Sequence, residues 1–194
     1  MSKLIFRYGA MGSSKTANAL IVAYNYKERG KRVLLLKPIA DDRSKNISSR
    51  IGLSEKCLAA EEYLDCINDN SDIIDESKKL PYDVIIIDEV QFLEPRYIDL
   101  LAFIVDTYDI PVICYGLKTD FTGHLFEGSK RLLELADNIE EIPTICWCGR
   151  KARFNARIAD GKVIKTGNQI QIGGNESYVS LCRKHFNLSE IGDQ

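Results

Sequence analysis

The chain has 194 residues, 45% of them hydrophobic, which is enough for one main core with a small appended unit, since domains run to roughly 100–200 residues. Its 26 Lys and Arg residues against 28 Asp and Glu residues give a formal charge of −2. This balance argues against a basic field that would attract nucleic acid or an anionic membrane. Because no apolar run approaches the roughly 18 residues of a membrane span and no secretory signal opens the chain, we expect a cytoplasmic protein.

Short apolar runs alternate along the chain with amphipathic segments. The runs predict strands at Leu4–Tyr8, Val33–Lys37, Val84–Asp88, Pro111–Tyr115 and Ile139–Ile142. Helix-type spacing predicts helices at Lys15–Arg29, Glu55–Asn68, Pro95–Thr107 and Ser129–Asp137. Runs without polar alternation, such as Val84–Ile87, are typical of strands covered on both faces of a parallel sheet. The alternation predicts a doubly wound α/β domain of the P-loop NTPase type.

The character of the sequence changes after Pro143. Residues 144–194 contain three of the six cysteines and only weak helical periodicity. About fifty residues bury little surface alone, and a structural metal commonly compensates. We therefore predict an α/β domain at 1–143 and a small zinc-binding domain at 144–194.

The segment between the first strand and the first helix approaches the G-x-x-x-x-G-K-[ST] pattern of a phosphate-binding loop. Its residues are Gly9, Ala10, Met11, Gly12, Ser13, Ser14, Lys15 and Thr16, with Ser14 in place of the second glycine. We expect this loop to bind ATP, with Lys15 bridging phosphates and Thr16 reaching Mg²⁺. The alternative is a turn with a solvated lysine. Ser14 is tolerable if its backbone is helical and damaging if it needs a positive φ.

Asp88 and Glu89 follow the buried strand that begins at Val84. Ligands of open α/β sheets bind at this end of the strands. Asp88 is placed to act on a Mg²⁺ shell facing Thr16, and Glu89 points the other way, where it could take a proton from an acceptor hydroxyl. The alternative, a strand that ends in solvent, is weakened by the phosphate loop in the same chain.

Cys146, Cys148, Cys182 and His185 offer three thiolates and one imidazole in two close pairs. This set suits tetrahedral Zn²⁺, and four protein ligands leave no open position, so the metal should be structural. The alternative is reduced core cysteines beside a hydrogen-bonded histidine. A disulfide framework is not expected, because the cytosol keeps thiols reduced.

These motifs closely resemble the type II thymidine kinases, particularly their enterobacterial-type branch. Matching stretches run through most of the chain, at residues 23–30, 41–43, 48–53, 88–93, 110–121, 145–152 and 172–179. The resemblance implies transfer of phosphate from ATP to the 5′-hydroxyl of thymidine or deoxyuridine, in nucleotide salvage for DNA synthesis. It also implies Glu89 as the catalytic base, a homotetramer, and feedback inhibition by thymidine triphosphate at the substrate site.

The resemblance also implies a nucleoside pocket closed by a lasso-like loop at about 153–178. The residues expected to contact or enclose the nucleoside are Phe92, Phe121, Phe126, Arg157 and Tyr178. Aromatic faces suit a flat pyrimidine, although ordinary core packing is the alternative for each phenylalanine. The resemblance implies that main-chain groups provide much of the recognition of thymine, so the side chains of Gln169 and Gln171 can vary without altering specificity. Gln91 is assigned with Asp88 to the ATP site, and Asp41 and Arg43 match family residues near the metal and the phosphates.

Two other classes of function stay open. A nucleic-acid-binding ATPase could use the zinc module as a finger, but the acidic balance and the short basic cluster at Arg150–Arg153 argue against it. A regulatory nucleotide sensor with a disabled phosphate loop is favoured only by Ser14. We expect partners to be thymidine and ATP, with neither nucleic acid nor a membrane.

Overall fold

The computed structural model describes residues 1–41, 45–69, 80–167 and 178–192. The strands of the first part are β1 (Leu4–Tyr8), β2 (Val33–Lys37), β3 (Asn46–Ser48), β4 (Ser54–Lys56), β5 (Leu58–Ala59), β6 (Val84–Ile87), β7 (Val112–Gly116) and β8 (Asn138–Glu141). The helices are α1 (Lys15–Glu28), α2 (Ala60–Asp69), α3 (Pro95–Tyr108) and α4 (Glu127–Leu135), with a 3-10 turn at Val90–Phe92. No helix in the described ranges is both long and apolar enough to cross a membrane.

The main sheet has the strand order β5–β2–β6–β7–β1–β8, and every pairing in it is parallel. Successive residues of a strand face opposite sides. Leu34, Leu36, Ile85 and Ile87 therefore join one core with α2, α3 and α4, while Leu35, Val84 and Ile86 join a second core with α1. Helices cover both faces, so the predicted doubly wound parallel sheet is confirmed.

The predicted helix at Glu55–Asn68 is wrong in its first five residues, because α2 begins at Ala60. Ser54–Lys56 instead pairs antiparallel with Asn46–Ser48, and Leu58–Ala59 pairs parallel with β2. These residues gain sheet hydrogen bonds with partners that local periodicity does not reveal. The predicted bounds of the sheet strands agree with the observed ones to within one residue.

The chain beyond Pro143 forms its own small layer. Strands β9 (Thr144–Ile145) and β10 (Lys151–Ala152) pair antiparallel, as do β12 (Lys162–Ile164), β11 (Phe154–Ala159) and β13 (Tyr178–Leu181) in the order β12–β11–β13. Helix α5 spans Arg183–Leu188. The layer has a separate core that includes Ala156, Leu181 and Phe186, which supports our proposed division of the chain near Pro143.

Candidate active site

Three adjacent strands bring the predicted site residues to one edge of the sheet. Strands β6, β7 and β1 are neighbours, and their carboxyl ends lead into Asp88, Leu117 and Gly9. Gly9 N–H donates to the carbonyl of Gly116 at 3.2 Å, which ties the start of the phosphate loop to the end of β7. The loop and the acidic pair therefore flank one strand end, the usual position for ligands of such sheets.

The phosphate loop needs glycine at Gly9, where a side chain has no space, and favours it at Gly12, where φ is positive. A Cβ on Gly9 would lie 2.4 Å from the carbonyl oxygen of Ile142, and Gly12 has a φ of +76°. Ser14, which replaces the second glycine of the pattern, also adopts a left-handed conformation with φ of 58°. Left-handed backbone costs a non-glycine residue roughly 1–2 kcal/mol. The serine is therefore accommodated with strain.

Lys15 is buried against the loop that it follows. Its Nζ donates to the carbonyls of Gly9 and Ala10 at 3.0 and 3.1 Å. Burial lowers the pKa of this ammonium, and the negative charges of Glu89 and Asp88 partly offset that effect. The cation thus lies within the loop, close enough to both carboxylates to interact with them.

Asp88 is buried at the end of β6 and carries an unsatisfied oxygen. Its Oδ1 has no hydrogen-bond partner within the described part of the chain. Burial and the neighbouring charge of Glu89 raise the pKa of this carboxyl to about 7, while the hydrogen bond from Thr16 and the charge of Lys15 oppose the rise. A buried, partnerless carboxylate oxygen beside a threonine hydroxyl fits a hard divalent cation, which prefers oxygen ligands.

Glu89 adopts a left-handed backbone conformation with φ of 53° directly after Asp88. Gln91 contacts the carboxylate of Glu89: Nε2 of Gln91 donates to Oε2 of Glu89 at 2.6 Å. The other end of the amide accepts from Leu117 N–H at 3.0 Å. Gln91 is thus buried between Glu89 and the end of β7, and its contact with ATP stays a prediction.

The predicted pocket residues fall into two groups. Phe92 and Phe126 pack edge to face, with ring centroids 5.8 Å apart. Phe121 is buried beneath Arg157, whose Cζ lies 3.7 Å from the ring centroid. Nε of Arg157 donates to the hydroxyl of Tyr178 at 2.9 Å, so β11 and β13 contribute to the second group. Within each group, the predicted residues contact one another.

Some predicted residues lie outside the described ranges. These are Arg43, Gln169 and Gln171, together with the part of the lasso-like loop at 168–177. Asp41 is described, and its carboxylate lies 3.8 Å from Nζ of Lys37 at the end of β2.

Sequence reasoning missed two residues that contact the backbone of Met11 in the phosphate loop. Met11 N–H donates to Oδ1 of Asn155 at 2.7 Å, and Oγ of Ser180 donates to the carbonyl of Met11 at 2.5 Å. In the sequence, Asn155 is only a polar residue of the alternating segment Phe154–Ala159, and its burial is seen in the structure alone. Its partner lies 144 residues away, so spacing alone does not reveal the contact.

The four predicted metal ligands come together in the C-terminal layer. The ligand atoms of Cys146, Cys148, Cys182 and His185 all lie within 4.8 Å of one another. Sγ of Cys146 is 3.4 Å from Nδ1 of His185, and the sulfurs of Cys148 and Cys182 are 4.0 Å apart. Zn²⁺ takes thiolates at about 2.3 Å and imidazole at about 2.0–2.1 Å in tetrahedral geometry, so the cluster is compatible with a zinc site.

The comparisons with known proteins agree with the resemblance seen in the motifs. Residues 2–186 match the family model described as thymidine kinase. A thymidine kinase of Streptococcus thermophilus is 50% identical over 189 residues, which are 96% of this chain and 94% of that protein. A thymidine kinase of Enterobacteria phage T4 is 47% identical over 194 residues and 96% of each chain. A solved structure of the replication initiator DnaA bound to AMPPCP and single-stranded DNA aligns with a TM-score of 0.46 and 22% identity, over 74% of this chain and 41% of that one, a likeness too weak to carry weight. The chain belongs to the thymidine kinase family.

Proposed function

We propose that this protein transfers the γ-phosphate of ATP to the 5′-hydroxyl of thymidine or deoxyuridine, and so supplies the monophosphate for DNA synthesis. The observation that carries the proposal is the meeting of the phosphate loop with Asp88 and Glu89 at one sheet edge, in a member of the thymidine kinase family. Positioning and electrostatics supply most of the catalysis in phosphoryl transfer.

ATP would be held by the phosphate loop, Gly9–Thr16. The N–H groups at the start of α1 have no partner within the helix and are available to the phosphates. Lys15 would exchange its loop carbonyls for phosphate oxygens and stabilise the charge that develops there. Thr16 and Asp88 would hold Mg²⁺, which neutralises phosphate charge when bound; the buried Oδ1 of Asp88 supports this assignment.

Glu89 would act as the general base on the 5′-hydroxyl. The amide of Gln91 donates to the carboxylate of Glu89 at 2.6 Å and so fixes the direction of that carboxylate. A base held in one orientation accepts a proton more effectively, because the proton-transfer geometry is already formed before the reaction.

Thymidine would lie against the aromatic residues near the same edge. Phe92 and Phe126 offer one pair of rings, and Phe121 with Arg157 and Tyr178 forms the second group. Stacking of a base on an aromatic side chain contributes roughly 1–3 kcal/mol. The loop at about 153–178 would enclose the base through main-chain groups.

Zn²⁺ would have a structural role in the C-terminal layer. Cys146 and Cys148 precede β10, whereas Cys182 and His185 come after β13. A bound metal would therefore cross-link both ends of the segment that carries β11 and β13. The protein residues provide four ligands, so the metal would have no open position for substrate.

We further propose a cytoplasmic homotetramer that thymidine triphosphate inhibits at the substrate site. These three properties rest on the family resemblance. Light scattering of the purified protein tests the assembly, and competition between thymidine triphosphate and thymidine tests the inhibition.

One assay tests the proposed function. Purified protein is incubated with thymidine, ATP and Mg²⁺, and the products are separated by chromatography. We expect thymidine monophosphate and ADP in equal amounts. If the protein binds thymidine or thymidine triphosphate but forms no product, it is a nucleotide sensor with a disabled phosphate loop, for which the strained Ser14 is the favouring observation.

A second candidate function is a nucleic-acid-dependent ATPase, because basic side chains line a groove beside the zinc cluster. The cationic residues of this groove are Lys118, Arg150, Lys151, Arg153, Arg183 and Lys184. Such clusters can neutralise phosphates of a nucleic acid backbone. The same assay with added single-stranded DNA separates the candidates, since stimulation of ATP hydrolysis by DNA without thymidine would favour this function.

A further inference from the structure

The backbone of Met11, at the tip of the phosphate loop, is held at both of its polar groups by side chains of the C-terminal layer. Oδ1 of Asn155 accepts from the N–H at 2.7 Å, and Oγ of Ser180 donates to the carbonyl at 2.5 Å. Asn155 is 3% exposed, and its Nδ2 also donates to the carbonyl of Thr119 at 3.5 Å. A buried amide without partners is costly, so these contacts specify where the loop tip lies.

Asn155 and Ser180 are direct partners across the ladder between β11 and β13. Directly opposed residues of an antiparallel pair point to the same face, with Cβ atoms about 4.5–5.5 Å apart. Both side chains therefore reach one residue of the loop from one position on the sheet. We call this pair of side chains the clip. Asn155 accepts from the N–H of Met11, and Ser180 donates to its carbonyl.

The next pair on that face belongs to the predicted nucleoside pocket. Arg157 and Tyr178 are also ladder partners, and they lie two residues from Asn155 and Ser180 on their strands. Residues two apart share a face. Arg157 bonds the Tyr178 hydroxyl and covers the ring of Phe121. One face of the β11–β13 ribbon therefore contacts both the phosphate loop and the pocket group.

The opposite face of this ribbon is anchored in the core around the cysteine cluster. Ala156 and Leu181 alternate with the clip residues and pack in that core with Cys146 and Cys182. The clip is thus supported by a core that is separate from the two cores of the main sheet.

We propose that Asn155 and Ser180 are positioning residues for the phosphate loop, and that the β11–β13 ribbon couples this loop to the nucleoside pocket. The inference rests on the proposed function, because it takes Gly9–Thr16 as the ATP loop. The left-handed backbone of Ser14 explains why the loop needs the clip. A left-handed serine persists only where its surroundings fix the backbone, and the clip fixes the loop three residues earlier.

The test measures the affinity of the full-length protein for a non-hydrolysable ATP analogue with Mg²⁺, by calorimetry, with and without thymidine. The variants are Asn155→Ala, Ser180→Ala and the conservative Ser180→Thr, which keeps the hydroxyl. Asn25→Ala, on the exposed side of α1, is the matched control. Ser180 is partly exposed, so its variants serve the test even if Asn155→Ala fails to fold.

We expect each alanine variant of the clip to raise the Kd for the analogue about five- to tenfold, the effect of one hydrogen bond of about 1 kcal/mol. Ser180→Thr and Asn25→Ala should stay within about twofold of the unaltered protein, whose loop contact they keep. Thymidine should change the Kd of the unaltered protein, and should change that of Asn155→Ala by a smaller factor.

An unchanged Kd in both alanine variants, or a Ser180→Thr variant as weak as Ser180→Ala, would overturn the positioning role. A Kd that thymidine does not alter in the unaltered protein would overturn the coupling. Failure of the proposed function is measured separately: the unaltered protein would then form no thymidine monophosphate. The comparison of analogue affinities requires no turnover, so it tests the clip in either case.

Discussion

Gln91 contacts the carboxylate of Glu89, with a distance of 2.6 Å from Nε2 of Gln91 to Oε2 of Glu89. The side-chain carbonyl oxygen of Gln91 accepts from the N–H of Leu117, the residue that follows β7. The contact with Glu89 makes Gln91 a positioning residue for the proposed base. Gly116 leaves the space for it, since a Cβ there would lie 2.6 Å from Oε1 of Gln91.

Replacing Gln91 by Ala should lower kcat about tenfold and leave the KM for ATP within about twofold, because a lost hydrogen bond of about 1.4 kcal/mol would misplace the base without removing an ATP contact. Gly116→Ala should lower kcat in the same way, because its methyl group displaces the Gln91 amide. Steady-state kinetics with ATP and thymidine varied in turn would measure both. A raised KM for ATP with an unchanged kcat would instead support the ATP contact predicted from the sequence.

Ser14→Gly should stabilise the protein modestly and leave the reaction unchanged. Glycine relieves a left-handed strain of roughly 1 kcal/mol, which corresponds to a rise in Tm of about 2–4 °C for a chain of this size. The KM for ATP should stay the same or fall. Ser14→Ala is the matched control, because alanine keeps the strain and should give no rise. A marked loss of activity in Ser14→Gly would show that the hydroxyl has a role of its own.

Local patterns in the sequence predicted the sheet, the phosphate loop and the cysteine–histidine cluster. Hydrophobic runs such as Val84–Ile87 are buried on both faces, and the phosphate-loop pattern predicted the position of Lys15 at the start of α1. The cysteine spacing likewise predicted a cluster that the structure brings together. These features depend on residues close in sequence, or on the few side-chain types that bind a metal such as Zn²⁺.

The features that were missed depend on distant partners. Ser54–Lys56 forms a strand because Asn46–Ser48 lies beside it, and Asn155 is buried because Met11 lies opposite. The positive φ of Ser14 was similarly inaccessible, since the motif gives two readings of that position and only the folded backbone distinguishes them. Periodicity reports which face is buried, and it does not report what the face contacts.

Without ligands, the contribution of Asp88 to the stability of the protein should decline as the pH rises from about 4 to about 7. The folded pKa of Asp88 is raised to about 7, above its unfolded value near 3.9, so the folded state holds a proton that the unfolded state loses in this window. Thermal unfolding from pH 4 to 8 measures the effect. Asp88→Asn should decline less steeply; an identical pH profile in the variant would contradict the raised pKa.

Removal of a thiolate from the cysteine–histidine cluster should destabilise the C-terminal layer. Cys182→Ser should lose bound zinc and lower the Tm by about 5 °C or more, since each kcal/mol shifts the Tm of a chain this size by roughly 2–4 °C. Elemental analysis and calorimetry measure the two effects. Cys66→Ser, on the exposed side of α2, is the control and should retain the metal. Purified protein without zinc, together with an unchanged Tm in Cys182→Ser, would rule out a structural metal.

We propose that Glu89 takes the proton from the 5′-hydroxyl of thymidine, and the rate at which Glu89→Gln forms thymidine monophosphate measures this role. The substitution keeps the size of the side chain and its place beside Gln91, but it removes the basic oxygen. We expect the rate to fall about 10²–10⁴-fold, the usual contribution of a general base, while calorimetry finds the affinities for thymidine and the ATP analogue within about threefold of the unaltered protein. A Glu89→Gln variant that forms the monophosphate at a near-normal rate would contradict the account.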